Sequence, residues 1–395
     1  MEEIFRLPIW AWGMFAIGAC IGSYLNVVIY RWPREGMSVT TPSRSFCPGC
    51  RVEIPWYRNI PLFTWLVQRG KCASCEERIS IRYPFVELVT AVLFLGGWMV
   101  FVVDRTPASP VAALLVAALG VLLVAIAWID ADLMVVPVDF CWWGMGIGVV
   151  GVCIDPTLVT LAGMPDSIRW WEGGARAVAG IAAGWGGLSL VVYLGKKLMG
   201  IKRLQFPDAA EWHLREPESE AEQLSFVIKS SQGDPRGGGH TDDIYPWGDL
   251  FFRDYDRLEI EGHGLRIDGK PVKAKTLVIS RETVEAGGKT YSIEELKSLS
   301  GKATKVAVPR EAMGDGDPPL LGLIGAFIGW QGVAFSLFGA CIFAILWALP
   351  ARVGFGRQLP FGPFLALGGA AWIFGGWSLW EWYFGSLIHL GPVGR

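Results

Sequence analysis

The sequence predicts an all-α polytopic membrane protein of about eight transmembrane helices, interrupted by a small polar loop rich in cysteine and by a larger, β-rich soluble insertion. Three observations predict it. Apolar runs close to the length of a bilayer crossing recur along the chain, polar sequence is confined to two long segments, and Lys and Arg gather on alternate connections. Of 395 residues, 52% are hydrophobic and only 18% charged, with mean hydropathy +0.38, a balance unusual for a soluble domain. The net charge of -2 and the lack of clustered basic residues give no footprint for nucleic acid.

A helix needs about 20 mostly apolar residues to cross the hydrocarbon core. Eight runs qualify as candidates: 8–30, 85–103, 111–129, 134–154, 175–195, 319–331, 333–350 and 361–386. The sixth is short and nearly continuous with the seventh. The N-terminus lacks the charged flank and small-residue cleavage site of a signal peptide, so the first run is read as a retained helix. This divides the chain into the first helix (1–30), a polar loop (31–84), helices two to five (85–198), the insertion (199–313) and the last helices (314–395).

Orientation follows from basic residues, which accumulate on the cytoplasmic side. Arg31, Arg34, Arg44, Arg51, Arg58, Arg69, Lys71, Arg78 and Arg82 fall in or beside the first polar loop, and Lys196, Lys197, Lys202 and Arg203 follow the fifth helix. The segments 104–110 and 155–174 hold one Arg each. Both polar segments are therefore expected in the cytoplasm.

Two carboxylates stand out on this topology. Asp130 ends the third apolar run in AWIDADLMVVP, and Asp317 opens the sixth in GDGDPPLLGLIG. Both fall at the cytoplasmic surface, and an ionisable group at such a depth is a functional-site hypothesis. A close pair of carboxylates shares one proton, so one member can activate water while the other polarises an amide carbonyl. Helix capping and an ion or proton pathway explain the same positions, and position alone does not separate the three.

Four of the eight cysteines, Cys47, Cys50, Cys72 and Cys75, form two C-x-x-C pairs in the first polar loop. Two such turns can complete a tetrahedral S4 site, the preferred setting of structural Zn2+. Disulfides and redox thiols are the alternatives, and a reducing cytoplasm argues against the first.

The segments GSYLNVVIYR (22–31), CPGC (47–50), RNIPLFTWL (58–66), GKCASC (70–75), RYPFVEL (82–88), IDAD (129–132), GDGD (314–317) and PFGPFLALG (360–368) occur in one order. In that order the chain resembles the type IV prepilin peptidases, membrane aspartyl proteases of the GxGD kind. The resemblance implies an enzyme of the bacterial inner membrane that removes the leader of prepilins or pseudopilins at the cytoplasmic face. It implies Asp130 and Asp317 as the catalytic pair, with Asp132, Asp315, Gly314 and Gly316 shaping their surroundings. It further implies N-methylation of the new N-terminus by S-adenosylmethionine, for which Asn26, Arg31 and Glu87 are the polar candidates near the same surface. Interfacial anchoring accounts for those three equally well. Two positions depart from the family pattern: Val138 separates Pro137 from Asp139, and Pro319 stands where a basic residue is common.

The expected partners are prepilin or pseudopilin precursors and membrane lipid. Rival readings are a family relative without catalysis that serves pilus or secretion assembly, and an ion-coupled transporter. The transporter should show inverted repeats, and the sequence has none that can be recognised. In the insertion, alternation from 258 to 293 and the turns Asp268-Gly269-Lys270 and Gly287-Gly288-Lys289 predict strands. Residues 231–243 read as a linker, and His213, His240 and His263 as surface residues. Trp372, Trp377, Trp380, Trp382 and Tyr383 read as an interfacial belt.

Overall fold

The computed structural model describes residues 2–34, 37–41, 44–47, 49–161, 169–199, 201–216, 224–229, 242–251, 256–309, 314–350 and 359–388. The proposed linker, save its last residues, and His240 lie outside them. The chain forms two compact units, one from 1–190 with 314–395 and the other from 191–313.

The first unit is helical. Its helices are α1 (Pro8–Arg31), α2 (Arg82–Trp98, continued by a π turn at Met99–Val103), α3 (Pro110–Leu133) and α4 (Val138–Ile154). They are followed by α5 (Trp170–Ile181, a π turn at Ala182–Gly186, then Gly187–Met199), α6 (Asp317–Ala348) and α7 (Gly362–Ala371, an irregular turn at Trp372–Gly376, then Trp377–Ile388). Proline opens α1 and α3, where its missing N–H has no partner to lose. Ser109 caps α3 by accepting from the N–H of Ala112, and Met134 ends it in the left-handed region at φ 56°.

Five of these helices among the described residues are long and apolar enough to cross a membrane, and Val138–Ile154 is a shorter apolar helix. The expected count of eight spans is thus not shown among the described residues. The predicted sixth and seventh runs form the single element α6, interrupted at Gly329, whose φ of 70° and ψ of -178° are not helical. A side chain there would be strained, and glycine is the residue that permits it. The break is sharp: a Cβ placed on Gly325 would lie 2.8 Å from Val333 Cγ2, whereas a straight helix separates positions i and i+8 by about 12 Å. The part of α6 before Gly329 is only ~18 Å long, too short for the ~30 Å hydrocarbon core. It is buried throughout, from Asp317 to Gly329, as expected of a helix that is apolar on every side.

Packing between α1 and α2 depends on small residues. Gly18 and Gly22 lie one turn apart, and added Cβ atoms would stand 2.8 Å from Ala91 Cα and 2.6 Å from Glu87 Cα. Lipid supplies no hydrophobic drive between helices, so close backbone approach of this kind supplies dispersion contacts instead.

The second unit is the β-rich insertion that the sequence predicts, and with it the chain as a whole is not all-α. It is a nine-stranded antiparallel sheet, β1 (Ile201–Arg215), β2 (Ser225–Lys229), β3 (Asp242–Pro246), β4 (Leu258–Ile267), β5 (Lys270–Pro271), β6 (Thr276–Ile279), β7 (Thr283–Ala286), β8 (Lys289–Ser292) and β9 (Leu299–Pro309). The order is β3-β2-β1-β9-β4-β6-β7-β8, with β5 paired to β4. Asp268 and Gly269, and Gly287 and Gly288, have positive φ at the two turns read from the sequence, as two-residue hairpins require. The core is built from Trp212, Phe226, Ile228, Leu258, Ile260, Ile279 and Val306. Ile201 pairs with Pro309 at the two ends of the unit, so its entry and exit are neighbours, as in domains that tolerate insertion into another. His213 and His263 are exposed.

Replacing Gly22 by Leu should force α1 and α2 apart and cost about 1–3 kcal/mol. Thermal unfolding in detergent should show a lowered midpoint for Gly22→Leu and little change for Gly13→Leu, because Gly13 has open space around it.

Candidate active site and metal centre

Asp130 lies in the last turn of α3 and is 4% exposed. Its Oδ2 accepts the backbone N–H of Gly362 at 2.9 Å, where α7 begins. Asp317 opens α6 and is 5% exposed. Between them runs the segment after α3: a Cβ on Gly316 would fall 2.5 Å from Val136 Cβ, and one on Gly362 would fall 2.7 Å from Asp130 Oδ2. Thus the GDGD turn packs on the chain that leaves Asp130, and the start of α7 packs on Asp130 itself. Gly316 and Gly362 are the residues through which that corner closes.

The neighbouring residues divide by exposure. Asp315 and Gly314 are exposed in the turn before α6. Asp132 forms an ion pair with Arg82, whose guanidinium sits 5.4 Å from the ring centroid of Trp128. This ties the first turn of α2 to the last turn of α3. Pro319 is buried in the first turn of α6, where a proline is tolerated because the first N–H groups lack helical partners. Asp139 stands in the first turn of α4.

A cavity of about 400 Å³ opens between α1, the start of α2 and the cysteine loop. Asn26, Arg31 and Glu87 all line it, together with Phe46, Trp65 and Tyr83. Asn26 is buried and donates Nδ2 to the carbonyls of Gly22 and Tyr83, at 3.3 and 3.1 Å, so its orientation is fixed by acceptors. That leaves its buried Oδ1 without a partner among the described residues. Arg31 is held by the carbonyls of Val39 and Arg44 and lies 5.8 Å from the Phe46 ring centroid. Glu87 Oε2 accepts the N–H of Leu62 at 2.7 Å. The volume is within the range of small-molecule sites, which pair apolar walls with a few placed polar groups.

The two C-x-x-C pairs adopt the same turn. Cys47 donates its N–H to Val52 and accepts from Arg51, while Cys72 donates to Glu77 and accepts from Glu76. Arg51 and Glu76, each one residue beyond a pair, have positive φ of 60° and 57°. The four sulfurs lie within 4.8 Å of one another and all four thiols are free. The Cys47 and Cys75 sulfurs are 3.8 Å apart, matching the ~3.8 Å edge of a tetrahedron with Zn–S near 2.3 Å. N–H groups of Cys75 and Ser74 aimed at its sulfur hold the Cys72 thiol down at about 6. Cys75, despite the N–H of Glu77, is pushed up to about 12 by burial and by the sulfurs of Cys72, Cys50 and Cys47. Crowded sulfurs of this kind ionise together only beside a cation. The residues present therefore fit a tetrahedral S4 metal site.

Sequence reasoning missed three contributors to the corner at Asp130: the Gly362 amide, Val136 and Arg82. The first lies in PFGPFLALG and the third opens RYPFVEL, so both were visible as motifs without a role. Val136 carries no signal beyond being apolar beside a proline.

A family model described as the bacterial peptidase A24 N-terminal domain matches residues 16–101. The chain is 37% identical over 196 residues to the prepilin leader peptidase/N-methyltransferase of Myxococcus xanthus, covering 48% of this chain and 50% of that protein. It is 45% identical over 105 residues to the protein of the same name from Neisseria gonorrhoeae, covering 21% and 37%. To the one from Klebsiella pneumoniae it is 33% identical over 226 residues, covering 53% of this chain and 88% of the relative. The matched region thus spans half or less of the first two relatives and most of the third. No solved structure matches. The extent of the Klebsiella match, on a chain that buries Asp130 of IDAD and Asp317 of GDGD, shows that this protein belongs to the prepilin leader peptidase/N-methyltransferase family.

Proposed function

We propose that this chain is a membrane aspartyl endopeptidase that removes the leader peptide of type IV prepilins or pseudopilins, and that it then methylates the new N-terminus. The observation that carries the peptidase reading is the corner at which Asp130 and Asp317 are both buried, with Val136 on Gly316 and the Gly362 amide on Asp130. The Gly362 contact engages one oxygen of Asp130, Oδ2. Asp130 then takes a proton from water through Oδ1 while Asp317, carrying the shared proton, donates a hydrogen bond to the scissile carbonyl. Water oxygen bonds to the carbonyl carbon, and the C–N bond breaks as the amine leaves with a proton from the pair. The corner is expected at the cytoplasmic face of the inner membrane, level with the end of the apolar helix of a precursor.

For the second reaction the cavity beside α1 and α2 supplies the fit. S-adenosylmethionine would bring a methyl group activated on a sulfonium. Asn26 Oδ1 offers a buried acceptor, the rings of Phe46, Trp65 and Tyr83 offer stacking surfaces, and Glu87 offers a carboxylate to an amine or a sulfonium. Arg31 keeps the loop folded over this space through two carbonyls. In the cysteine loop, Zn2+ held by Cys47, Cys50, Cys72 and Cys75 would fasten the two turns to each other; a closed S4 set leaves no open position for catalysis.

Coexpression of a prepilin with Asp130→Asn or Asp317→Asn should lower leader removal by at least about 100-fold, the scale of an acid or base. Mass spectrometry of the pilin reads this, and cleavage that survives both substitutions rules the mechanism out. Gly362→Ala should also lose most activity, since the new Cβ meets Asp130 Oδ2. Glu87→Gln should leave cleavage near the unsubstituted level while the methylated fraction of mature pilin falls, and equal loss of both products would remove Glu87 from the methylation site. Purified protein should hold about one zinc per chain, and Cys72→Ser should lower that content. Four thiols that titrate freely in metal-free native protein would end the zinc reading.

A further inference from the structure

The loop between α1 and α2 has an apolar face that it does not bury. At the short helix Phe63–Val67, Phe63, Leu66 and Val67 share one side by their spacing and are 61%, 67% and 64% exposed. The opposite side is anchored to the protein: Trp65 donates Nε1 to the Ile79 carbonyl at 3.2 Å, and Leu62 donates its N–H to Glu87 at 2.7 Å. Just upstream, Trp56 is 82% exposed, and Tyr57 and Ile60 are exposed beside it.

We propose that residues 56–67 rest on the bilayer, with Trp56, Phe63, Leu66 and Val67 in the headgroup boundary of the leaflet that holds the start of α2. Depth is the first argument. Glu87 lies five residues inside α2, about 7.5 Å along its axis, and its bond to Leu62 holds the short helix at that level. The second argument is continuity. Ile81, Phe85 and Leu88 around the start of α2 are exposed apolar residues at the same level, and on a spanning helix such residues face lipid. The third is charge: Arg58, Arg69, Lys71 and Arg78 are exposed and stand near the apolar segment in sequence, and basic residues at a membrane surface are attracted to anionic lipid. Exposed Trp and Tyr beside such a face match the residue types that settle at the interface. An exposed apolar face accompanied by basic residues is the surface pattern of an element lying in the plane of the membrane.

This docking holds the cavity mouth near the membrane surface. The Arg82–Asp132 ion pair joins the start of α2 to the end of α3, so the carboxylate corner lies at that surface too. The lipid contact stands independently of the two reactions proposed above.

The test places the photoreactive residue p-benzoylphenylalanine at Phe63, at Leu66 or, as a polar control, at the exposed Glu76, in the full chain reconstituted in phosphatidylethanolamine and phosphatidylglycerol vesicles with a prepilin present. Lipid adducts should form at positions 63 and 66 in several-fold higher yield than at 76. Equal yields at all three positions, or adducts with prepilin or a second copy of the chain in place of lipid, would overturn the proposal. Hydroxyl-radical labelling of unsubstituted protein in the same vesicles provides a second measurement. Trp56, Phe63 and Leu66 should be protected relative to exposed His213 and Ile244 of the sheet, and comparable oxidation would refute the contact.

Discussion

The structure depends on keeping two carboxylates inside an apolar helical unit. An acidic side chain at membrane depth costs about 2.5–3.5 kcal/mol even by permissive scales, so its surroundings must supply polar partners without opening the core to water. Both Asp residues meet this demand at helix starts. Asp317 is the first residue of α6, and Asp130 faces the first amide of α7, where unpaired N–H groups and the helix dipole favour a negative charge. The arrangement needs two helices to begin inside the unit, which explains why α6 opens with a fully buried segment and breaks at Gly329.

Close approach is the second requirement, and it is met by the absence of side chains at particular points. Val136 reaches Gly316 and the Asp130 carboxylate reaches Gly362 because neither position carries a Cβ. A single methyl at either would separate segments that share no long-range sequence relation. Arg82 adds a polar clamp from α2 through Asp132, with its guanidinium against Trp128. That ion pair is partly exposed and contributes little to stability by itself. Its geometry matters more, because it fixes which turn of α2 stands beside the corner.

Much of this was legible in the sequence, for identifiable reasons. Apolar runs report burial in lipid or core directly, so the helices emerged near their observed positions. The Cys spacing reported a shared turn geometry, and the structure brings all four sulfurs together. Asn26, Arg31 and Glu87 were grouped by depth alone, and they line one cavity. The failures have separate causes. Hydropathy cannot distinguish a helix that spans lipid from one buried in protein, so the burial of the first part of α6 was not legible. Alternation in 258–293 exposed the middle strands, but β1 and β9 escaped because their pairing joins residues about 100 positions apart. A backbone amide such as that of Gly362 has no side-chain signature at all.

The placement of α2 gives the two proposed reactions a physical order. Peptide hydrolysis creates a free amine, and an amine is the nucleophile that methylation requires, so the product of the first step is the substrate of the second. Along the first turns of α2, Arg82 contacts Asp132, the Tyr83 carbonyl accepts from Asn26, and Glu87 lines the cavity. One rigid helix thus spans the distance between the carboxylate corner and the cavity, and its position is set from both sides by Gly22 packing and by the Asp132 ion pair. A shift of α2 along its axis would alter both sites together. Tight glycine packing against α1 is therefore a requirement of chemistry as well as of folding: it holds two separate sets of polar groups in register with the same chain end.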